Sequence, residues 1–216
     1  SSGDDTFDFF DDFEGTVLNT TKWNPLGAGS AVLNGGYLTL NSTGVFDVSS
    51  NTGFDLNFIS ETKGSHPTHG TTGLASQIGF WRSAYNIVMI SDYASEYWLR
   101  YTYIENVGGS VIAMDQAADQ NFHVFKVYRE SPRVAGFQVD NNPAERQPSN
   151  IPTGLMSSII QAYGAGCQVI ADWTRVRKWA GSVLVSTPGI EQDGSLNYWT
   201  GAVDSDWNEP GNWSSG

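Results

Sequence analysis

Short runs of alternating apolar and polar residues, separated by Gly, Asn, Ser and Pro, fill most of the chain. Successive side chains of a β-strand point to opposite faces, so this period of two is typical of half-buried strands. Nowhere do apolar residues recur at helical spacing for four turns. Parallel strands need long crossovers, which are usually helices, and the pattern therefore predicts an all-β chain with antiparallel strands.

Turn-forming residues mark where the predicted strands begin and end. Residues 31–40 read as a hairpin, because Asn34, Gly35 and Gly36 readily adopt the positive φ angles of a tight turn. Residues 114–121 could form one helical turn, although they are too polar for a core helix. We predict further strands within residues 45–48, 54–62, 77–106, 123–129, 134–139, 158–162 and 169–179.

Charge and cysteine content exclude several classes of protein. The net charge of −12 argues against nucleic acid and anionic membranes as partners and is compatible with neutral glycans or calcium. Cys167 is the single cysteine, so no intramolecular disulfide can form, and we expect a small buried side chain there. No apolar run approaches the roughly 18 residues of a membrane helix. The abundance of Gly, Ser, Thr, Asn and aromatic residues favours a secreted or cell-surface protein.

The character of the chain changes near its end. We predict a β-sandwich over residues 1–185, then a linker and a Trp-rich tail over residues 186–216. Solvated linkers are poor in aromatic residues, so the tail should be covered, either as the start of a following unit or by docking. Docking on an identical subunit, repeated head to tail, would give a filament. The candidate assembly residues are Tyr198, Trp199, Trp207 and Trp213.

Three segments resemble the concanavalin A-like, laminin G-like superfamily, which contains the family-16 glycoside hydrolases and many non-catalytic surface modules. They are residues 11–15 (DDFEG) followed by Trp23, residues 33–40 (LNGGYLTL), and residues 171–178 (ADWTRVRK). The resemblance implies a two-sheet antiparallel jelly-roll sandwich over about residues 5–180, with the first and last strands adjacent. Similar modules occur in bacterial and archaeal surface proteins.

The resemblance also implies a structural calcium ion where the first and last strands meet. Its ligands would be Glu14, the carbonyl oxygen of Gly36 and the carboxylate of Asp172, which are the hard oxygen donors that Ca²⁺ prefers. The alternative is that Asp172 only caps loop amides.

Hydrolases of the superfamily carry Glu-x-Asp-x-x-Glu, which places three carboxylates in one cleft. No Glu of this chain begins that pattern; the nearest match, at Glu191, has Leu196 in the last position. Asp92 and Glu96 could flank a loop, but no spacing rule brings them together. We therefore expect a non-enzymatic structural or adhesive module. The alternatives are a lectin-like glycan binder and, less favoured, a hydrolase with a non-standard site.

Other candidate sites have an ordinary explanation beside the functional one. The aromatic stretch 97–103 could present a sugar platform, with Trp81, Tyr85, Trp98 and Arg100 as ligand-binding residues, or could simply pack in the core. His66 and His69 could bind a metal, but Pro67 makes a turn there and we expect a solvated loop. Glycosylation acceptors occur at Asn19, Asn41 and Asn212.

Overall fold

The computed structural model describes residues 3–83, 86–93, 95–148, 151–179, 198–199 and 213–214. The chain divides into two compact units, Ser1–Gly181 and Ser182–Gly216. Almost all described elements of the first unit are strands, preceded by a single helical turn. The all-β prediction is confirmed.

A helical turn, α1 (Gly3–Thr6), comes before thirteen strands in the first unit. The strands are β1 (Phe9–Asp11), β2 (Trp23–Asn34), β3 (Tyr37–Phe54), β4 (Phe58–Ser65), β5 (Ala75–Ser83), β6 (Asn86–Ser91), β7 (Tyr97–Ile104), β8 (Gly108–Ala117), β9 (His123–Ser131), β10 (Val134–Val139), β11 (Glu145–Pro148), β12 (Met156–Tyr163) and β13 (Gln168–Lys178).

These strands form a two-layer antiparallel jelly-roll sandwich. One layer contains β11, β10, β9, β4 and β13, in that order, and the other continues through β3, β12, β5, β6, β7 and β8. Strand β3 is 18 residues long and pairs with β13 near its start and with β12 near its end, so it joins the layers. Strand β1 pairs with β13, which confirms that the first and last strands of the sandwich are adjacent.

The opening DDFEG segment is fastened to the core through one carboxylate. Asp11 accepts hydrogen bonds from the indole Nε1 of Trp23 at 2.7 Å and from the amide of Phe13 at 2.9 Å. The side chains of Trp23 and Phe13 are fully buried between the layers. Asp11 therefore satisfies the indole N–H of a fully buried Trp23.

Two local predictions have different outcomes. The turn between β2 and β3 has φ angles of +59° and +78° at Gly35 and Gly36, as predicted for a tight hairpin. The helical turn considered for residues 114–121 does not form, because residues up to Ala117 continue β8 and pair with β7. Met114 is buried in the core while its neighbours are more exposed, which is a strand pattern.

A buried cation, Arg129 on β9, ties two loops to the sandwich. Its guanidinium donates hydrogen bonds of 2.6 to 3.1 Å to the carbonyl oxygens of Phe54, Asp55, Pro152 and Gly154. Burial lowers the pKa of Arg129 to about 10, which still leaves it charged at neutral pH.

In the second unit, the described residues form a small hairpin of β14 (Tyr198–Trp199) and β15 (Trp213–Ser214). Tyr198 pairs with Ser214, and Trp199 pairs with Trp213. Trp207 lies outside the described residues. Across the described part of both units, no helix is long and apolar enough to span a bilayer.

Candidate functional site

The outer face of the second layer carries three rows of side chains, which we call the groove face. Directly paired residues of antiparallel strands share a face, so the registers define the rows. The first row is mostly polar and contains Asp47, Gln161, Gln77, Ser91 and Leu99. The second contains Ser49, Ile159, Gly79, Met89 and Tyr101, and the third contains Trp81, Ile87 and Tyr103.

Two adjoining depressions lie in the groove face. Their volumes are about 340 Å³ and 330 Å³, and both are lined by Gln77, Tyr101 and Tyr163. Trp81 lines the first depression and Tyr93 the second. The rings of Tyr93 and Tyr163 meet edge to face, with their centroids 5.6 Å apart. The depressions therefore form one groove that combines aromatic rings with amide groups.

Asp47 is an unusual member of the polar row, because it is buried and only half satisfied. It is 5% exposed. Its Oδ2 accepts a hydrogen bond from Gln161 at 3.3 Å, whereas Oδ1 is buried with no partner. Burial raises the pKa of Asp47 to about 6, against the smaller lowering effect of Gln161. A ligand hydroxyl donating to Oδ1 would remove this deficit.

A second polar cluster lies where the chain leaves β4 and β6. Asp92, whose side chain is fully buried, accepts hydrogen bonds from the amide of Ser76 at 2.7 Å, from His69 Nδ1 at 2.8 Å, and from His66 Nδ1. The Nε2 atom of His66 lies 3.2 Å from the Sγ atom of Cys167. The prediction of a solvated loop at His66 and His69 is therefore wrong. Both rings are hydrogen-bonded to Asp92, which is distant in sequence.

Charge in this cluster is set by pairing rather than by exposure. Burial alone would raise the pKa of Asp92, but hydrogen bonds and the charge of His66 hold it below its usual value. Burial alone would lower the pKa of His66, but its bonds to Asp92 and Cys167 raise it to about 9. Cys167 is 1% exposed, which confirms the prediction of a buried cysteine.

Asp92 and Glu96, which no spacing rule brings together in the sequence, line one cavity in the structure.

The described residues expected to form a sugar platform do not make one surface, because Trp81 lies on the opposite face of the layer from Trp98 and Arg100. Trp98 is fully buried and packs on Phe125, with ring centroids 4.8 Å apart, so it belongs to the core. Arg100 points towards the other layer, where it pairs with Glu145 at 3.4 Å. Tyr85 lies outside the described residues. Of the described members of this set, Trp81 alone lies on the groove face. The indole of Trp98 fills the core, so the alternate residues of β7, such as Tyr101, face the groove instead.

Of the residues of the expected calcium site, Glu14 and Gly36 approach each other, and Asp172 lies on β13, the partner of β1. Gly36 has a φ of +78°, which favours glycine, and Oε1 of Glu14 lies 2.8 Å from the place a Cβ would take there. Asp172 forms an ion pair with Lys63 at 2.6 Å. Calcium binding stays a prediction.

The glycosylation acceptors also stay predictions. Asn19 is exposed, and its Oδ1 accepts hydrogen bonds from the amide and hydroxyl of Thr21 at 3.0 and 2.7 Å. Asn41 is half-buried and accepts a hydrogen bond from Gln168 at 2.9 Å. Asn212 lies outside the described residues.

Comparison with solved structures identifies relatives by fold. The chain is similar to a glycosyl hydrolase family protein from Mycobacterium fortuitum (TM-score 0.60, 15% identity, covering 79% of this chain and 99% of that one). It is also similar to Rv0315 of Mycobacterium tuberculosis, described as an immunostimulatory antigen and pseudo beta-1,3-glucanase (TM-score 0.60, 12% identity, covering 80% and 98%). A third is a structure from work on endo-acting O-glycanases of the human gut microbiota that initiate mucin breakdown (TM-score 0.62, 15% identity, covering 80% and 99%).

Sequence comparison adds less. A family profile described as a domain of unknown function (DUF2341) matches residues 1–26. No curated protein sequence matches the chain. The structural matches establish the fold alone, and this fold is the concanavalin A-like sandwich shared with proteins related to glycoside hydrolase family 16.

Proposed function

We propose that this protein is an extracellular, non-enzymatic module whose groove face binds a glycan. The observation that carries the proposal is the buried, unpartnered Oδ1 of Asp47, whose other oxygen is bonded by Gln161 in the wall of an aromatic groove. A buried acceptor without a partner costs free energy, and a sugar hydroxyl is a donor of the right size to satisfy it.

The composition of the groove suits a sugar. Trp81, Tyr101 and Tyr163 offer ring faces and edges to the apolar C–H surfaces of a pyranose, while Gln77 and Gln161 can both donate and accept hydrogen bonds. Binding sites commonly combine an apolar lining with a few placed polar groups in this way. The similarity to proteins named as glucanases and O-glycanases supports a glycan as the ligand.

The same rows argue against hydrolysis. Glycosidases place two carboxyl groups about 5 to 9.5 Å apart around the scissile bond. Of the described residues that make up the three rows of the groove face, only Asp47 carries a carboxylate. A lone acid can hold a hydroxyl, but it cannot serve as both nucleophile and general acid.

The second candidate function is a structural or adhesive subunit that assembles through its tail. The observation favouring it is the hairpin of β14 and β15, whose two-residue strands are too short to be stable without further cover. An identical subunit that supplied this cover would produce a chain of molecules. Glycan binding and assembly are compatible in one surface protein.

The binding proposal is tested by titrating the purified full chain with β-1,3-glucan oligosaccharides and with mucin O-glycans in a calorimeter. Two variants form a matched pair, because Tyr163 is 39% exposed in the groove and Tyr37 is 42% exposed at the β2–β3 turn. We expect Tyr163→Ala to weaken binding about tenfold, equivalent to about 1.4 kcal/mol, which is the scale of one aromatic contact. Tyr37→Ala should bind like the unmodified protein.

Product analysis of the same mixtures should show no shortened glycans. The proposal is wrong if neither glycan class binds, or if both tyrosine variants lose affinity equally. Release of reducing ends that Asp47→Asn abolishes would instead favour the hydrolase.

A further inference from the structure

Two imidazole nitrogens converge on one carboxylate oxygen beyond the ends of β4 and β6. The Nδ1 atoms of His66 and His69 both contact Oδ2 of Asp92, His69 at 2.8 Å. One donor atom from each residue lies within 4.8 Å of the other two. We propose that His66, His69 and Asp92 bind a divalent transition-metal ion, at a site that does not depend on glycan binding by the groove face.

The donor set matches the chemistry of such ions. Two imidazoles and one carboxylate are a common protein contribution to zinc and other first-row metal sites. Ligand atoms of a tetrahedral zinc ion, each at about 2.1 Å from the metal, lie roughly 3.4 Å apart. Atoms within 4.8 Å of one another reach that separation with small side-chain movements. Without a metal, both rings need a proton at Nδ1 to share the same oxygen, and an ion replaces those two protons.

The atoms behind the donors are held in place, as metal ligands usually are. The Nε2 atom of His66 lies 2.9 Å from the hydroxyl of Thr68 and 3.2 Å from the sulfur of Cys167. The second oxygen of Asp92 accepts hydrogen bonds from the amide and hydroxyl of Ser76, at 2.7 and 3.2 Å. A backbone bond of 2.9 Å from the His69 amide to the His66 carbonyl closes the turn that puts both rings on one side.

The site also has an entrance. His69 and Asp92 line a cavity of about 250 Å³, whereas His66 is covered. Three protein ligands leave at least one coordination position, and this position would face the cavity and take water or another oxygen ligand. The other lining residues are Gly70, Thr71, Thr72, Leu74, Ser95 and Glu96.

The third histidine is a contrasting case and a natural control. His123 contacts two carboxylates, Asp140 at 2.7 Å through Nδ1 and Asp119 at 2.9 Å through Nε2. Because these carboxylates lie on opposite sides of the ring, the three residues have no common point for an ion. This cluster is a histidine hydrogen-bonded to two carboxylates, and its donor atoms do not converge as those of His66, His69 and Asp92 do.

The test uses the untagged full chain, stripped with a chelator and titrated with Zn²⁺ alone in a calorimeter. We expect one ion per chain. His69→Gln and Asp92→Asn should lose this binding, while His123→Gln and Asp172→Ala keep it. Thr68→Ala removes the hydroxyl that contacts His66 Nε2 and accepts the amide of Gln168, and it should weaken binding about tenfold. Circular dichroism of each variant establishes that it is folded, and only folded variants are compared.

A second measurement identifies the ligands directly. Co²⁺ should give the visible absorption of a low-coordinate nitrogen and oxygen site, and X-ray absorption should find no sulfur neighbour, because Cys167 lies on the far side of the His66 ring. The proposal is overturned if the folded wild-type chain does not bind Zn²⁺ stoichiometrically. It is equally overturned if folded His69→Gln binds as tightly as the wild type.

Discussion

Replacing Asp47 by Asn should stabilise the protein at neutral pH and leave its stability nearly unchanged in acid. The folded state raises the pKa of Asp47 from 3.8 to about 6, mainly by burial. A group with a raised carboxyl pKa prefers its protonated form in the folded protein. Its contribution to stability is therefore fully present below pH 3.8 and is lost as the pH rises through 6.

The magnitude follows from the shift. Each pKa unit corresponds to 1.36 kcal/mol, so the charged form costs the folded state at most about 3 kcal/mol at pH 7.5. Asparagine has nearly the same shape and carries no charge, and its amide oxygen can still accept the bond from Gln161. The gain from Asp47→Asn should therefore grow from near zero at pH 4 towards that limit at pH 7.5.

Urea unfolding of both proteins at several pH values between 4 and 7.5 measures this difference. Asp8→Asn, at an exposed position, is the control and should show no comparable trend. A stability difference for Asp47→Asn that stays flat over this range would refute the reasoning. It would mean that the carboxylate is solvated or has a partner in solution.

Two further predictions concern the calcium site and the tail. With calcium at about a hundred times its dissociation constant, the protein should gain about 2.7 kcal/mol of unfolding free energy in chemical denaturation. Asp172→Ala should abolish this gain, and in chelator it should change the free energy of unfolding little. Lys63→Ala, which removes only the ion pair, should keep the gain. Equal calcium stabilisation of wild type and Asp172→Ala would exclude the site. Deleting residues 187–216 should abolish assemblies seen by light scattering and electron microscopy, and assembly of the shortened chain like the full one would rule out the tail.

The antiparallel strands and the first hairpin could be predicted from local signals, whereas the two-sheet jelly-roll was implied by the resemblance of three segments. Period-two alternation identifies strands one at a time, and the glycines at positions 35 and 36 mark a turn that no other residue type takes as easily. Asp11 and Trp23, which are hydrogen-bonded in the structure, lie only twelve positions apart and belong to one motif of the resemblance. Each of these signals operates within about a dozen residues, and each agrees with the final sandwich.

The groove could be predicted only in part, because alternation does not say which face of a strand is turned outward. On β7, Trp98 and Tyr101 lie on opposite faces, and either set could have been the core. The pairing of β7 with β6, and of β6 with β5, decides which face of β7 packs in the core. Strand pairing of this kind depends on the whole layer and cannot be read from β7 alone. The sequence did carry one signal for Asp47 that was missed. This acid lies between two core residues, Phe46 and Val48, in a strand that is buried on both faces there.

The histidine cluster could not be predicted from spacing, because His66 and Asp92 are 26 positions apart and two strands intervene. Yet it shares a physical property with Asp47. Both sites keep a carboxylate where burial makes charge expensive, and natural cores generally replace such groups unless something compensates. In the cluster two imidazoles compensate Asp92. On the groove face only Gln161 does so for Asp47, and one carboxylate oxygen stays unsatisfied. A bound hydroxyl that reached this oxygen would relieve the remaining cost.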